Sequence, residues 1–139
     1  MSFRAITQIA GSAMTAQTVR LNTISSNLAN AESAAGSETE AYRARKPVFA
    51  AIAQAAASGQ SAGNRVQVLD VVQSNEPLRR VHAPDHPLAN AQGEVFYSNV
   101  NAVAEMTDML SASRAFETNV EVLGRVKSMQ QSLLRLGES

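Results

Sequence analysis

The two ends of the chain carry apolar residues at helical spacing, and the middle does not. Near the start, apolar side chains recur every three or four residues and form one near-heptad row: Phe3, Ala10, Met14, Leu21, Ile24 and Leu28. Near the end the row is longer: Val103, Met106, Met109, Leu110, Phe116, Val120, Leu123, Val126, Met129, Leu133, Leu134 and Leu136. Each row is the apolar face of an amphipathic helix. We predict one helix from about Ser2 to Ala29 and another from about Asn101 to Gly137.

The boundary residues support both helices. Ser2 and Asn101 are of the types that cap helix N-termini, and glycine, here Gly137, commonly follows a helix end. Glu105 in the first turn and Arg135 in the last turn of the second helix complement the helix dipole. A helix of about 35 residues is roughly three times the globular average, which favours a coiled coil or a bundle.

The middle of the chain is not free to be helical. It holds all four prolines, and proline breaks helix interiors: Pro47, Pro77, Pro84 and Pro87. Residues 31–64 are rich in Ala, Ser and Gly, so we predict a loop or partly disordered segment anchored by an apolar cluster, Pro47, Val48 and Phe49. Residues 65–98 alternate in short runs at 65–72, 78–82 and 94–97, which predicts a small β region with an irregularity after Val68.

The expected fold is therefore mainly α with a small β part. Residues 1–30 form an N-terminal axial helix and residues 99–139 a C-terminal one, and the two pack as a coiled-coil-like pair that makes one helical core domain. The 31–64 loop and the 65–98 β region, in hairpin or extended form, lie between them.

Composition excludes several function classes. The chain has 139 residues, with 12 basic and 12 acidic side chains, so net charge gives no reason to expect nucleic acid or an anionic membrane as a partner. It has no cysteine, which removes thiolate chemistry and Cys-based metal sites. The longest uncharged stretch, 47–64, is mostly alanine and too polar to span a bilayer. Polar residues also interrupt the apolar run 5–16, so we expect no cleaved signal peptide.

Candidate chemistry is sparse. His82, Asp85 and His86 form the one cluster that resembles a metal or acid–base site, but Pro84 and Pro87 prevent the helix that would align the histidines. A proline-fixed turn, in which Asp85 accepts local backbone N–H bonds, explains the cluster better. We therefore predict no catalytic, cofactor-binding or metal site, and a metal hydrolase at this cluster stays only as an alternative.

The distribution of apolar residues is the positive signal. Both terminal rows are too long for the small β region to cover, so they must pair with each other, with other chains, or with both. Isolated helices of this kind are marginal in water. These patterns indicate a structural subunit whose terminal helices become ordered when they are packed.

Short motifs at both ends resemble those of a known family. Residues 26–31, Ser-Asn-Leu-Ala-Asn-Ala, resemble the motif that closes the N-terminal helix of the axial proteins of the bacterial flagellum, which include rod and hook subunits. A matching C-terminal motif comprises Asn99, Val100, Asn101, Glu105, Met106, Met109, Arg114, Phe116 and Asn119. Features of the middle, at residues 42–49, 66–68 and 84–93, are similar to those of the proximal-rod subunits within this family.

The resemblance implies a structural role in motility. The subunit would be exported through the flagellar type III apparatus without a cleaved signal and would join the periplasmic rod of the basal body, the shaft that transmits torque. Its partners would be its own copies, other proximal-rod subunits, the rod–ring junction protein and the distal rod protein. No cofactor, nucleic acid or membrane insertion is implied.

The resemblance also suggests roles for named residues. Helix packing would involve Met14, Leu21, Ile24 and Leu28 against Met106, Met109, Phe116, Val120 and Leu123. The polar motif residues would fix helix ends or bond across subunits: Asn27, Asn30, Asn99, Asn101, Glu105, Arg114 and Asn119. Pro47, Val48 and Phe49 would brace adjacent subunits on the outside. The alternative function is an intracellular helical adaptor or chaperone of a secretion system.

Overall fold

Two long helices dominate the structure, a computed structural model that describes residues 2–55 and 61–138. Helix α1 spans Phe3–Ala29 and helix α2 spans Ala102–Gly137. Ser2 Oγ accepts from Ala5 N at 3.1 Å, and Asn101 Oδ1 accepts from Ala104 N at 3.1 Å, so both helices begin at polar caps. Small antiparallel sheets lie between the helices in sequence, which confirms the predicted fold class, mainly helical with some β.

The helices pack side by side and run in opposite directions. Arg20 in α1 pairs with Asp108 near the start of α2, whereas Phe3 lies beside Leu133 and Leu134 near its end. Small side chains are among the most deeply buried in both helices: Ala16 is 1% exposed and Ala112 is 0% exposed. With 36 residues against 27, α2 is the longer helix.

A two-stranded ribbon lies along α1. Strand β2, Arg45–Ala55, pairs antiparallel with strand β3, Ser61–Gln73. The base of the ribbon lies near Asn27, and Val66 lies near Ser12, so β3 runs in the same direction as α1. Val48 pairs with Asp70 and Phe49 with Val68, which leaves Leu69 as an extra residue in a bulge. This bulge is the irregularity that the sequence predicts after Val68.

The structure differs from the predicted 31–64 loop. Residues 45–55 form β2, and Ala34–Ala35 form the short strand β1. Alanine has weak β propensity, so the alanines around Val48, Phe49 and Ile52 conceal the strand pattern, and the ladder with β3 determines the conformation. The predicted loop also includes residues 56–60, which lie outside the described residues, as do Met1 and Ser139.

A three-stranded sheet is formed by segments that lie between α1 and α2 in the sequence. Strand β5, Glu94–Tyr97, lies between β1 and β4, Arg79–His82, and its bounds are those predicted. Val95 is 0% exposed and Phe96 is buried, so β5 supplies the core of this region. Gly93, which precedes β5, has φ +74°, and a Cβ there would lie 3.1 Å from His82 Cε1.

Replacing Ala112 by Leu tests the close packing of the helix pair. Ala112 is fully buried, so the added atoms must displace neighbours, and we expect the free energy of unfolding to fall by about 1–3 kcal/mol. Urea denaturation followed by far-ultraviolet circular dichroism measures the change. Ala104→Leu is the matched control because Ala104 is exposed on the same helix, and it should change stability by less than about 0.5 kcal/mol. Equal effects of the two substitutions would contradict this packing.

Candidate assembly surface

One side of α2 carries an uncovered apolar stripe. Val103 is 74% exposed, Met106 56% and Leu110 64%. Their spacing of three and four residues places them on one face of the helix. Leu110 lies about 200° around the helix from the buried Ala112, so this outer stripe, residues 103, 106 and 110, points away from α1.

The end of α2 is also apolar and exposed. Leu133, Leu134 and Leu136 are each more than half exposed, and Met129 is 48% exposed. Leu133 and Leu134 line a shallow open groove with Phe3 and Gln130. Large apolar side chains grouped in this way are typical of surfaces that contact another protein.

The nine residues predicted to pack between helices do not share one environment. Ile24 is buried at 2% exposure, whereas Met106 and Val120 are exposed at 56% and 46%. The remaining six lie at intermediate exposure: Met14, Leu21, Leu28, Met109, Phe116 and Leu123. Their contribution to contacts between subunits stays a prediction.

The ribbon has its own apolar surface. Val48 and Phe49 in β2 are exposed, as are Leu69, Val71 and Val72 in β3, while Pro47 is partly buried. Pro47 lies opposite Val71 in the ladder. The cluster predicted to brace neighbouring subunits therefore lies on a long β ribbon, with Val48 and Phe49 exposed to solvent, and not on a loop.

Two motif asparagines reach the segment that leads into the ribbon. Asn27 is 1% exposed, and its side chain bonds to both backbone polar groups of Arg45 and to the Tyr42 hydroxyl. Asn99 Oδ1 accepts from Ala44 N at 2.7 Å. The C-terminal motif therefore also contacts this segment.

The other polar motif residues act near their own helices. Asn30 Nδ2 donates to Ser26 O at 2.9 Å at the end of α1, and Asn119 Nδ2 donates to Ala115 O at 2.8 Å within α2. Asn101 caps α2, and the Asn101 carbonyl oxygen accepts from Glu105 N at 3.0 Å. Arg114 is exposed on α2.

An ion pair joins the two helices. The Arg20 guanidinium bonds to both carboxylate oxygens of Asp108, and its Nη1 donates to Gln17 Oε1 at 3.4 Å. The Arg20 side chain is 21% exposed and that of Asp108 is 47% exposed. A two-point contact of this kind favours one shift of the helices along each other over others. No feature of the sequence alone indicates that these residues are partners, because 88 positions separate them.

The His82, Asp85 and His86 cluster forms part of a turn. His86 Nδ1 accepts from Leu88 N at 3.0 Å, and His86 N donates to Ala83 O at 3.0 Å. Across residues 2–55 and 61–138, no three His, Asp or Glu side chains are grouped so that they could hold a metal ion.

Two basic side chains near Tyr42 contact other groups of the same chain. Arg43 donates to the carbonyl oxygens of Ser74 and Glu76, and the Arg45 guanidinium lies 5.5 Å from the centre of the Tyr42 ring.

Neither helix in the described part of the chain combines the length and apolar character needed to cross a bilayer.

The chain matches two family models, one at each end. Residues 8–34 match the model described as flagella basal body rod protein, and residues 91–136 match the C-terminal model of the flagellar basal body rod FlgEFG proteins. These ranges contain the two motifs quoted above and most of both helices.

Full-length relatives are similar throughout. The flagellar basal-body rod protein FlgC of Escherichia coli O157:H7 is 47% identical over 138 residues, covering 99% of this chain and 100% of that protein. The FlgC proteins of Salmonella typhimurium and Bacillus subtilis are 46% and 34% identical, covering 99% and 94% of this chain and 100% and 95% of those proteins.

Reversing the charge of Asp108 tests the helix-to-helix ion pair. Asp108→Arg places two guanidinium groups together, and we expect a loss of about 0.5–1 kcal/mol in the free energy of unfolding because the pair is partly exposed. Adding Arg20→Asp should restore most of this loss, which a double-mutant cycle by urea denaturation measures. Additive effects of the two changes would show that the pair contributes nothing to the stability of the helix pair.

Proposed function

This chain belongs to the flagellar basal-body rod protein family and is a structural subunit of the rod, and we propose that it assembles through its terminal helices into the proximal rod. In this position the helices of each copy pack against those of its neighbours and transmit torque along the shaft for motility.

The outer stripe of α2 is the observation that carries the proposal. Val103, Met106 and Leu110 expose large apolar side chains on the side of α2 that α1 does not cover. Covering such side chains is favourable by about 1.5–3 kcal/mol for each one that becomes fully buried. A neighbouring subunit that packs a helix on this stripe would supply that cover.

The ribbon supplies the outer contacts in this proposal. Pro47, Val48 and Phe49 lie on β2, and exposed apolar residues of β3 lie on the same ribbon. The ribbon lies along α1, yet these apolar side chains remain exposed, and a neighbouring subunit would cover them. We assign the ribbon to contacts with adjacent subunits, where it would resist bending of the shaft.

Partners and location follow from the family. The chain is part of the flagellar basal body. Within it we propose a periplasmic position after type III export without a cleaved signal peptide. The proposed neighbours are further copies of this chain, other proximal-rod subunits, the rod–ring junction protein and the distal rod protein.

A structural role fits the relatives better than the two alternatives. The full-length relatives are rod proteins, which supports neither an intracellular adaptor or chaperone nor an enzyme. We propose that the chain performs no catalysis and binds no cofactor, nucleic acid or lipid bilayer.

Replacing Leu110 by Asp tests the outer stripe. The carboxylate would have to be buried against an apolar neighbour, so we expect rod assembly to fall at least about tenfold while the isolated chain keeps its helical content. Intact basal bodies are counted by electron microscopy in a strain that carries only the variant, together with swimming in soft agar.

Thr118→Asp is the matched control for this test. Thr118 is exposed on α2, and its hydroxyl donates to the Arg114 carbonyl oxygen of the same helix, so the same charge lies outside the stripe. This variant should assemble normally. Normal rods and swimming with Leu110→Asp would overturn the assignment of the stripe to a subunit contact.

The predicted helix-packing residues give a second test. Leu28→Asp and Phe116→Asp each place a charge at a partly buried helix position, and we expect export to continue while rod assembly stops. Secreted subunit in the culture medium and basal bodies in the cells are measured together. Loss of export as well as rods would contradict the separation of the two functions, and so would intact motility.

A further inference from the structure

We propose that Asn27 and Asn99 are positioning residues that hold residues 42–45, the segment that leads into the ribbon. These contacts, here called the clip, set the direction of the ribbon relative to the helix pair. The two asparagines belong to the N-terminal and C-terminal motifs, and each bonds within the subunit. The importance of this direction for the rod rests on the bracing function proposed above.

Asn27 pairs with Arg45 as a neighbouring β-strand would. Its Oδ1 accepts from Arg45 N at 2.9 Å, and its Nδ2 donates to Arg45 O at 2.8 Å. An asparagine amide carries an acceptor and a donor side by side, so it can satisfy both backbone groups of one residue. Alanine can satisfy neither group, and aspartate can accept but cannot donate.

Tyr42 completes the contact with α1. Its hydroxyl donates to Asn27 Oδ1 at 2.8 Å and lies 3.0 Å from Ser26 Oγ. The Asn27 side chain is 1% exposed, so water has little access to replace its hydrogen bonds. The end of α1 therefore carries a buried polar site whose partners all lie in the 42–45 segment or the adjacent turn of the helix.

Asn99 holds the same segment from the other side. Its Oδ1 accepts from Ala44 N at 2.7 Å, and its Nδ2 donates to Glu76 O at 2.9 Å. Ala44 is buried, and its carbonyl oxygen accepts from Ser74 N at 2.7 Å, which ties in the chain just beyond β3. Both strands of the ribbon are thus fixed at the base, beside the start of α2.

The contacts at residues 42–45, the base of the ribbon, determine the position of a long element. Strand β3 has 13 residues, which corresponds to about 40 Å of extended chain. A small rotation at residues 42–45 therefore moves the far end of the ribbon by many ångströms. Ser12 Oγ accepts from Val66 N at 3.0 Å farther along, a contact that forms only when the ribbon already lies against α1.

Chemical crosslinking tests the clip directly. The chain has no cysteine, so Thr15→Cys and Gln67→Cys, at exposed positions that line one cleft between α1 and β3, report on the ribbon. Phe3→Cys and Gln130→Cys, which line the groove between the helices, report on the helix pair. The purified full-length chain is treated with a short bismaleimide, and crosslinked monomer is measured by mass spectrometry.

Asn27→Ala and Asn99→Ala should each lower the 15–67 crosslink by at least about threefold, because the lost hydrogen bonds no longer hold the start of the ribbon in place. The 3–130 crosslink and the helical circular dichroism should stay unchanged. Asn27→Asp, which buries a charge and turns an oxygen towards the Arg45 carbonyl oxygen, should lower the 15–67 crosslink at least as much as Asn27→Ala. Asn119→Ala is the matched control, since the Asn119 side chain donates to the Ala115 carbonyl oxygen in its own helix, and it should change neither crosslink.

Three results would overturn the proposal. An unchanged 15–67 crosslink in both alanine variants would show that the asparagines do not set the ribbon, and loss of both crosslinks would show a general effect on folding. No 15–67 crosslink in the parent chain would show that the ribbon does not lie on α1. Clip variants with a displaced ribbon and normal rods would instead contradict the bracing function and leave the clip intact.

Discussion

The structure depends on the coverage of α1 from two sides. One side of this helix packs on α2, and another side lies against the ribbon, to which it is bonded through Ser12 and Asn27. A helix enclosed in this way cannot carry many charges, and α1 has only two charged residues, Arg4 and Arg20. Its polar face consists of hydroxyl and amide side chains, which can form hydrogen bonds with neighbouring backbone without the desolvation cost of a charge.

The difference between local and long-range contacts explains which parts of the fold could be predicted from the sequence. Both helices follow from apolar spacing and from caps at Ser2 and Asn101, all of which are local signals. The strand β5 follows from Val95 and Phe96 between turn residues. In contrast, β2 is rich in alanine, and its conformation depends on a ladder with β3 and on the bonds from Asn27 to Arg45. Such long-range contacts leave no periodic signal in the sequence, so the segment resembles a loop.

The candidate surface was predictable only in part. The helical rows identify which residues are apolar, but they do not show which side of α2 meets α1. The structure buries Ala112 and Val126 and leaves Val103, Met106 and Leu110 uncovered. Asn27 and Asn99 were identifiable through the motifs, whereas their partners were not. Arg45 lies 18 residues from Asn27 in the sequence, and Ala44 lies 55 residues from Asn99.

The division between polar and apolar contacts suits a subunit of a shaft. Within the chain, directional bonds at Asn27, Asn99 and the Arg20–Asp108 pair fix the relative position of the helices and the ribbon. Towards solvent, the outer stripe presents methyl and methylene groups, whose packing is not directional. In the proposed rod, a subunit with fixed internal geometry but a non-directional outer face can meet neighbours that are not identical to one another. Rigidity then comes from bonds inside each subunit, and tolerance comes from the apolar contacts between subunits.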